Sequence, residues 1–323
     1  KSVLSLKSNK SFDALRGLPI ENTRSDTNGS FWISTRFGLF KVNLKNGKSL
    51  RFTLLNGEKQ NQEDTRSLMV DNNGNIWVSI YGVGVFVFDP RVSAFNHNLS
   101  SLGKPLELQN NLVFAFSESK SSQSYLGTFG AGLWMFDKLT GNESKFTYDK
   151  ARNSSISSNR VFSIFNVNDE KLLIGTQGAG VDTFDIDTKK FRNLRYSTPQ
   201  FSDLHSSSVL SIERDLDRNF WFGTLENGVY VLDSNNQNIK HFKSDSRLDS
   251  LSSNTIWDMY LDSSGDLWLG TSDGLSRFIH SNDNFKNYFS SKTNEHLSIQ
   301  VVSILEYSDD NFWLATTKGL MKF

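Results

Sequence analysis

One phrase, written seven times, constrains this chain more than any of its totals. It is clearest as "DSSGDLWLGTSDGLSRF" at 262–278 and returns in variant form at "FWISTRFGLFKV", "IWVSIYGVGVFVF", "FWFGTLENGVYVL" and "FWLATTKGLMKF". Aligned on its Trp slot, the copies fall at Trp32, Trp77, Tyr125, Leu173, Trp221, Trp268 and Trp313, at intervals of 45, 48, 48, 48, 47 and 45 residues. Six residues before the slot stand Asp26, Asp71, Ser119, Val167, Asp215, Asp262 and Tyr307. Twelve before it stand Ile20, Thr65, Val113, Val161, Val209, Ile256 and Val301, so the register holds through every copy.

Each copy parses into four short apolar runs bounded by Gly, Asn, Asp and Ser, the pattern of β-strands joined by tight turns. In the fourth copy the runs are "RVFSIFNV", "KLLIGT", "GVDTFD" and "KFRNLRY". Turns such as "DNNGN" at 71 and "DSSGD" at 262 supply an Asp for the backbone and a Gly for positive φ. Four antiparallel strands at this period are the blade of a β-propeller. The chain is therefore read as all-β, one seven-bladed β-propeller over residues 1–323, four antiparallel strands per blade. The seventh copy ends before its fourth strand, and "SVLSL" at 2–6 is the spare one, so the N-terminal strand is expected to close the last blade and remove a free sheet edge.

The totals agree with a domain stabilised by packing and not by disulfides. The chain has 323 residues, 35 basic and 35 acidic side chains, and no cysteine. Zero net charge argues against nucleic acid and anionic membranes as partners. No run reaches the roughly 18–20 apolar residues that cross a bilayer. The start at Lys1, with no signal-like segment behind it, reads as a processed or excised piece of a longer protein.

A ring of small residues stands ten before the Trp slot: Asn22, Ser67, Ala115, Ser163, Ser211, Asp258 and Ser303. It is read as the lining of a water-filled axial channel. Trp32, Trp77, Trp221, Trp268 and Trp313 recur in every register and are read as packing between blades, and the Asp turns as turn chemistry. The histidines, His97, His205, His241, His280 and His296, have no metal spacing, and no phosphate loop or nucleophile elbow occurs in a suitable context. No catalytic residue, metal or cofactor is assigned.

A site on a symmetric scaffold must come from residues that differ between copies. The loops entering the first strands and the turns between second and third strands share one face around the channel mouth, where ligands are expected. Its unusual occupants are Arg24, Arg66, Arg160, Trp257 and Asp258 on or beside first strands, and Arg36, Tyr81, Phe129, Gln177 and Glu226 in the turns. Aromatic planes with arginines and carboxylates suit a small polar or anionic ligand, sugars included.

With D-x-x-G-x-x-W-x-G-T-x-x-G-L in view, the repeats resemble the two-component regulator propeller repeats. The resemblance spans all seven copies, although copies three and four replace the Trp with Tyr125 and Leu173 and lose the Asp-Gly turn. It implies the periplasmic sensor half of a hybrid histidine kinase or membrane-bound diguanylate cyclase, with C-terminal output domains outside this chain and oligosaccharides as one ligand class. A homodimer is compatible with that organisation. Two alternatives stay open: a protein-interaction scaffold, which needs an exposed apolar or aromatic patch, and an enzyme resembling the streptogramin lyases, which needs a histidine near the axis.

Overall fold

A computed structural model describes residues 4–5, 15, 18–26, 30–43, 48–52, 54, 63–90, 112–119, 123–137, 140, 142–196, 202–235, 238–293, 298–308 and 311–323. Seven antiparallel sheets follow one another along the chain, with almost no helix. The fourth blade is typical, running Val161–Asn168, Lys171–Thr176, Val181–Asp185 and Lys190–Asn193 in spatial order. Blade two shows three strands among the described residues, because 91–111 lies outside them.

Closure follows the expected route. Leu4–Ser5 pairs antiparallel with Gly319–Lys322, completing the seventh sheet. The innermost strands Ile20–Ser25 and Val301–Ser308 pack on each other, joining blade one to blade seven.

Each blade-to-blade interface holds one apolar cluster, and each cluster contains one residue of the Trp slot. Trp32 packs with Leu68 and Ile76 of the next blade, Trp221 with Met259 and Leu267, Trp268 with Ile304 and Phe312. Tyr125, Leu173, Trp77 and Trp313 do the same at the other four. The slot is inter-blade core, and Trp32 and Trp221 are 0% and 1% exposed.

Burying an indole leaves its N–H in need of an acceptor. The Asp six residues earlier supplies it. The indole N–H donates to Asp26 at 3.1 Å from Trp32, to Asp71 at 3.0 Å from Trp77, and to Asp215 and Asp262 at 2.8 Å from Trp221 and Trp268. The other carboxylate oxygen accepts the backbone N–H four residues on, from Ser30, Asn75, Asn219 and Asp266. One carboxylate thus ties the turn between the first two strands to the core beneath it. Burial alone would raise the Asp262 pKa, but the bonds from Trp268, Ser264 and Asp266 outweigh it and the net shift is downward.

The rest of the phrase is also consumed by the fold. The Thr of G-T-x-x-G donates its hydroxyl to the carbonyl of the turn glycine in six blades, from Thr35 to Gly38 at 2.9 Å through Thr316 to Gly319 at 2.6 Å. A Cβ on Gly175 would lie 2.1 Å from Ser163 Oγ and 2.7 Å from the Val209 carbonyl of the next blade. At Gly127, Gly223 and Gly270 a Cβ would likewise run into the innermost strand of the next blade, at Val161, Ile256 and Val301.

The ring ten before the Trp slot differs from the channel lining expected. Ser67, Ala115, Ser163, Ser211 and Ser303 are buried. Ser67 donates to the Phe114 carbonyl at 3.0 Å and Ser163 to that of Val209 at 3.2 Å, each on the following blade. A register shift one residue earlier, as at Val161/Ser163 and Ile256/Asp258, turns the side chain from the axis toward the neighbour. Ser67 and Ser163 thus stitch neighbouring blades together, and Ala115, Ser211 and Ser303 pack there without such a bond.

Two substitutions test the packing by urea unfolding. Asp262→Ala, which leaves a buried indole without its charged acceptor, is expected to cost about 2 kcal/mol, and Asp262→Asn clearly less. Gly175→Ala is expected to cost about 1–3 kcal/mol through overpacking.

Candidate functional site

The entry loops and the turns between second and third strands do share one face. In six blades a turn residue donates its backbone N–H to the carbonyl just ahead of the first strand: Tyr81 to Asp64, Phe129 to Leu112, Gln177 to Arg160, Leu225 to Ser208, Ser272 to Thr255 and Thr317 to Gln300. This ring of bonds rims the channel mouth and fixes what each blade presents there.

Eight of the ten residues singled out from the sequence lie on this rim. On blades one and two, Glu21 accepts from Arg36 at 2.7 Å and lies 3.5 Å from Arg66, which also pairs with Asp64 at 2.6 Å and sits over the Tyr81 ring at 5.7 Å. On blades three and four, Arg160 lies over Phe129 at 4.6 Å and donates to the Gln177 amide oxygen at 2.9 Å. Trp257 donates its indole N–H to Ser272 at 2.9 Å, and Glu226, at a φ of 72°, donates its backbone N–H to Thr255 Oγ1 at 3.2 Å.

The sequence reading missed the aromatic partners of that rim. Phe114 and Phe162 close a triangle with Phe129, with ring centroids 5.4–6.0 Å apart. Phe37, Tyr81, Phe114 and Tyr148 are 51%, 54%, 39% and 49% exposed, all on the mouth face of blades one to four. The same rim on blades five to seven offers Leu225, Glu226, Trp257, Ser272 and Thr317. The exposed aromatic rings are thus more numerous on blades one to four.

Arg24 and Asp258 stand apart from the rim, further down the innermost strands. Asp258 accepts from the backbone N–H of Ile304 and of Met259 at 2.8 and 3.0 Å. Burial pushes its carboxyl up to about 6, against the lowering influence of Arg24 and of those bonds. Glu213, on the innermost strand Val209–Arg214, accepts from the Arg214 N–H at 2.9 Å. Burial, and to a smaller extent Asp258, push its carboxyl up to about 7. Glu213 carries no motif and sits eight before the Trp slot, where only comparison with Met69, Ser117, Phe165 and Leu305 marks it as foreign.

Among the described residues, no group of three His, Asp or Glu side chains is arranged to hold a metal ion. His241 stacks on Tyr230 at 3.8 Å and lies on an outer strand, His280 follows one, and neither His205 nor these falls on an innermost strand. His97 and His296 lie outside the described residues. Among the described residues, no helix is long and apolar enough to cross a membrane.

The chain is a seven-bladed propeller whose repeated phrase is spent on packing, with the residues that differ between copies gathered at one mouth. Residues 250–273 match the family model of the two component regulator propeller, so the chain carries that repeat. The match takes in "SLSSN" as well as the Trp phrase. Asn254 there accepts the Ser244 N–H on its side chain at 2.7 Å and the Gly228 N–H on its carbonyl at 2.7 Å, which docks the entry loop on the preceding blade. Asn159 repeats the arrangement toward Tyr148, Gly130 and Gly132.

The chain is 31% identical over 91 residues to "Histidine kinase P4" of Formosa agariphila, covering 27% of this chain and 6% of that protein. Its fold is similar to the extracellular domains of two putative hybrid two component systems of B. thetaiotaomicron. One has a TM-score of 0.75 at 23% identity, covering 95% of this chain and 39% of the other. The second has a TM-score of 0.73 at 19% identity, covering 94% and 38%. It is also similar to a catalytically inactive virginiamycin B lyase from Staphylococcus aureus, solved with Quinupristin, with a TM-score of 0.72 at 14% identity, covering 99% and 97%. The chain thus spans a small fraction of the curated relative and about two fifths of the two-component structures.

The raised Glu213 carboxyl makes a pH prediction. A carboxyl whose folded pKa lies above its unfolded value of about 4.5 costs stability as pH rises between the two, so the wild type should lose stability from about pH 4.5 to 7. Glu213→Gln should flatten that loss, recovering up to about 3 kcal/mol at pH 8. Thermal unfolding across this range measures it.

Proposed function

We propose that this chain is a non-catalytic sensor propeller, in the extracytoplasmic, periplasmic part of a bacterial signalling protein, which binds a small polar ligand at its mouth and passes the event to C-terminal output domains. One observation carries the reading: the repeated phrase is used up in turns, stitches and core, while the residues that differ between copies converge on one face. There the Phe114, Phe129 and Phe162 rings lie beside Arg160 and Gln177. Aromatic planes flanked by fixed donors and acceptors are the chemistry that holds a sugar ring by its apolar face and its hydroxyls. Oligosaccharides are therefore the class we favour. The likeness to extracellular domains of two component systems supports the setting.

A lyase reading finds less support, since among the described residues no histidine stands on an innermost strand. The exposed Phe37, Tyr81, Phe114 and Tyr148 favour a second reading, in which this face docks a protein partner, a second copy included.

Thermal unfolding against a panel of oligosaccharides, amino acids and carboxylates separates the two. A ligand present at about a hundred times its Kd stabilises by about 2.7 kcal/mol. Under the sensor reading one class raises Tm, and Phe162→Ala or Arg160→Ala weakens its binding about tenfold or more while leaving unliganded Tm nearly unchanged for the exposed Arg160. No rise with any class, together with concentration-dependent association, moves the assignment to protein docking.

A further inference from the structure

At three blade interfaces the Trp slot is one corner of an aromatic triad. Trp221 packs on Phe242 of its own fourth strand at 6.0 Å and on Phe278 of the next blade at 4.7 Å. Tyr125, Phe146 and Phe184 form the same triad between blades three and four, and Trp268, Tyr288 and Phe323 between blades six and seven. Between blades four and five the strand register puts Leu173, Leu194 and Leu232 at the three corresponding positions. The Asp of the adjoining turn is gone as well, with Val167 in its place.

This interface without the three rings carries a groove of about 550 Å³, a size that takes a small molecule. Its floor is Leu173, Leu194 and Leu232 with Phe222, all buried, and the half-buried Val167 and Phe220. Its edge carries three exposed cations, Lys171, Lys190 and Arg192. The one carboxylate of the lining, Asp185, accepts from the Thr188 N–H and hydroxyl at 2.8 and 2.7 Å and lies within Coulombic reach of Lys171. Among the described residues, no ion pair joins Lys190 or Arg192 to an acid. Val167, Lys171, Asp185 and Lys190 flank the turns between first and second and between third and fourth strands, so the groove opens at the end of the sheets opposite the mouth.

The next interface supplies a comparison within the same molecule. Blades five and six enclose a groove of equal volume, about 550 Å³, at Trp221, Phe242 and Phe278. Its edge has the opposite sign: Asp215, Asp217, Asp233 and Asp283 face Lys240 and His280. Volume therefore does not select an occupant, and the chemistry of floor and edge does.

We propose that the groove between blades four and five binds a small amphipathic carboxylate, with its apolar body on the leucine floor and its carboxylate at Lys190 and Arg192. An apolar body covering the leucines hides their surface and its own from water. The guanidinium fork of Arg192 matches the two oxygens of a carboxylate, and Lys190 adds a point charge beside it. A free sugar fits the floor poorly, because its hydroxyls would lose water against leucine and phenylalanine without gaining partners. The site is separate from the mouth and does not rest on the oligosaccharide reading there.

The test is titration of the 323-residue chain at pH 7 with sodium octanoate below its micelle concentration, followed by methyl NMR, with octanol and sodium acetate as comparators. Octanoate should shift the methyls of Leu173, Leu194 and Leu232 saturably and leave Val231, which lines the acidic groove, far less affected. Octanol, which has the body without the charge, should bind about tenfold more weakly, and acetate should give no saturable shift. The Lys190→Glu, Arg192→Glu double variant changes two exposed side chains. It should keep its Tm, bind octanoate about tenfold or more less tightly, and bind octanol as the wild type does. The Val167→Asp, Leu173→Trp double variant restores the repeat and should abolish binding of both by filling the floor; should it fail to fold, the charge-reversed variant carries the test. Arg160→Ala should leave octanoate binding unchanged, which separates this site from the rim. Absence of a saturable octanoate shift, equal affinity for octanol, or an octanoate affinity that survives charge reversal would overturn the proposal.

Discussion

Neighbouring blades of this propeller approach to backbone contact near the axis, and the rest of the molecule is organised around that approach. At the level of Gly175 the second strand of blade four has no room for a methyl group, since Ser163 and the Val209 carbonyl occupy the place where one would go. Ser163 then spends its hydroxyl on the same carbonyl. The distance between blades is set there by excluded volume and a hydrogen bond together. One residue pair further down the strands, at Trp221 or Trp268, the same interface takes its largest side chains. Alternation of a tight level and a bulky level fixes how each sheet sits on the next, because neither level can slide into the other's place.

The bulky level brings its own electrostatic requirement. An indole buried at an interface would leave an N–H unsatisfied, and four blades meet this with the carboxylate that already shapes the adjoining turn. A single Asp therefore couples local turn chemistry to tertiary packing, which explains why Asp and Trp travel together at a spacing of six. Blade three confirms the logic by departing from it. Tyr125 replaces the indole, and its hydroxyl donates to Gln123 Oε1 at 2.7 Å, so no Asp is required and Ser119 suffices at the turn. Blade seven places Tyr307 in the Asp position, where its ring packs on Trp313 at 5.9 Å.

Blade number, strand order and closure were legible because each depends on periodicity, and a period survives any ambiguity about where one side chain points. The Trp slot was legible as core for the same reason. Orientation was not. The ring of Asn22, Ser67, Ser163 and Ser303 reads from sequence as small and polar, which suits a channel wall and a crowded interface equally. A bulge just before the slot decides the matter, and nothing in the residue types announces it. At the rim, the arginines stood out as departures from the repeat. Phe114 and Phe162 did not, because an aromatic residue on a strand looks like core until its exposure is known.

Arg24 and Glu213 show that such a scaffold tolerates a charge on an innermost strand at low structural risk. Five of the seven slots eight residues before the Trp can hold the ring while two tolerate a charge, since each blade contacts only its neighbours and the losses do not spread. Charges placed on innermost strands also act at a distance that rim residues lack, because the low-dielectric wall of the channel screens them less than bulk water would. Asp258 on blade six therefore acts on Arg24 of blade one and on Glu213 of blade five without a direct bond to either. In a fold where repetition supplies stability, the residues that break the pattern and are paid for by no packing gain are the places to look for a ligand.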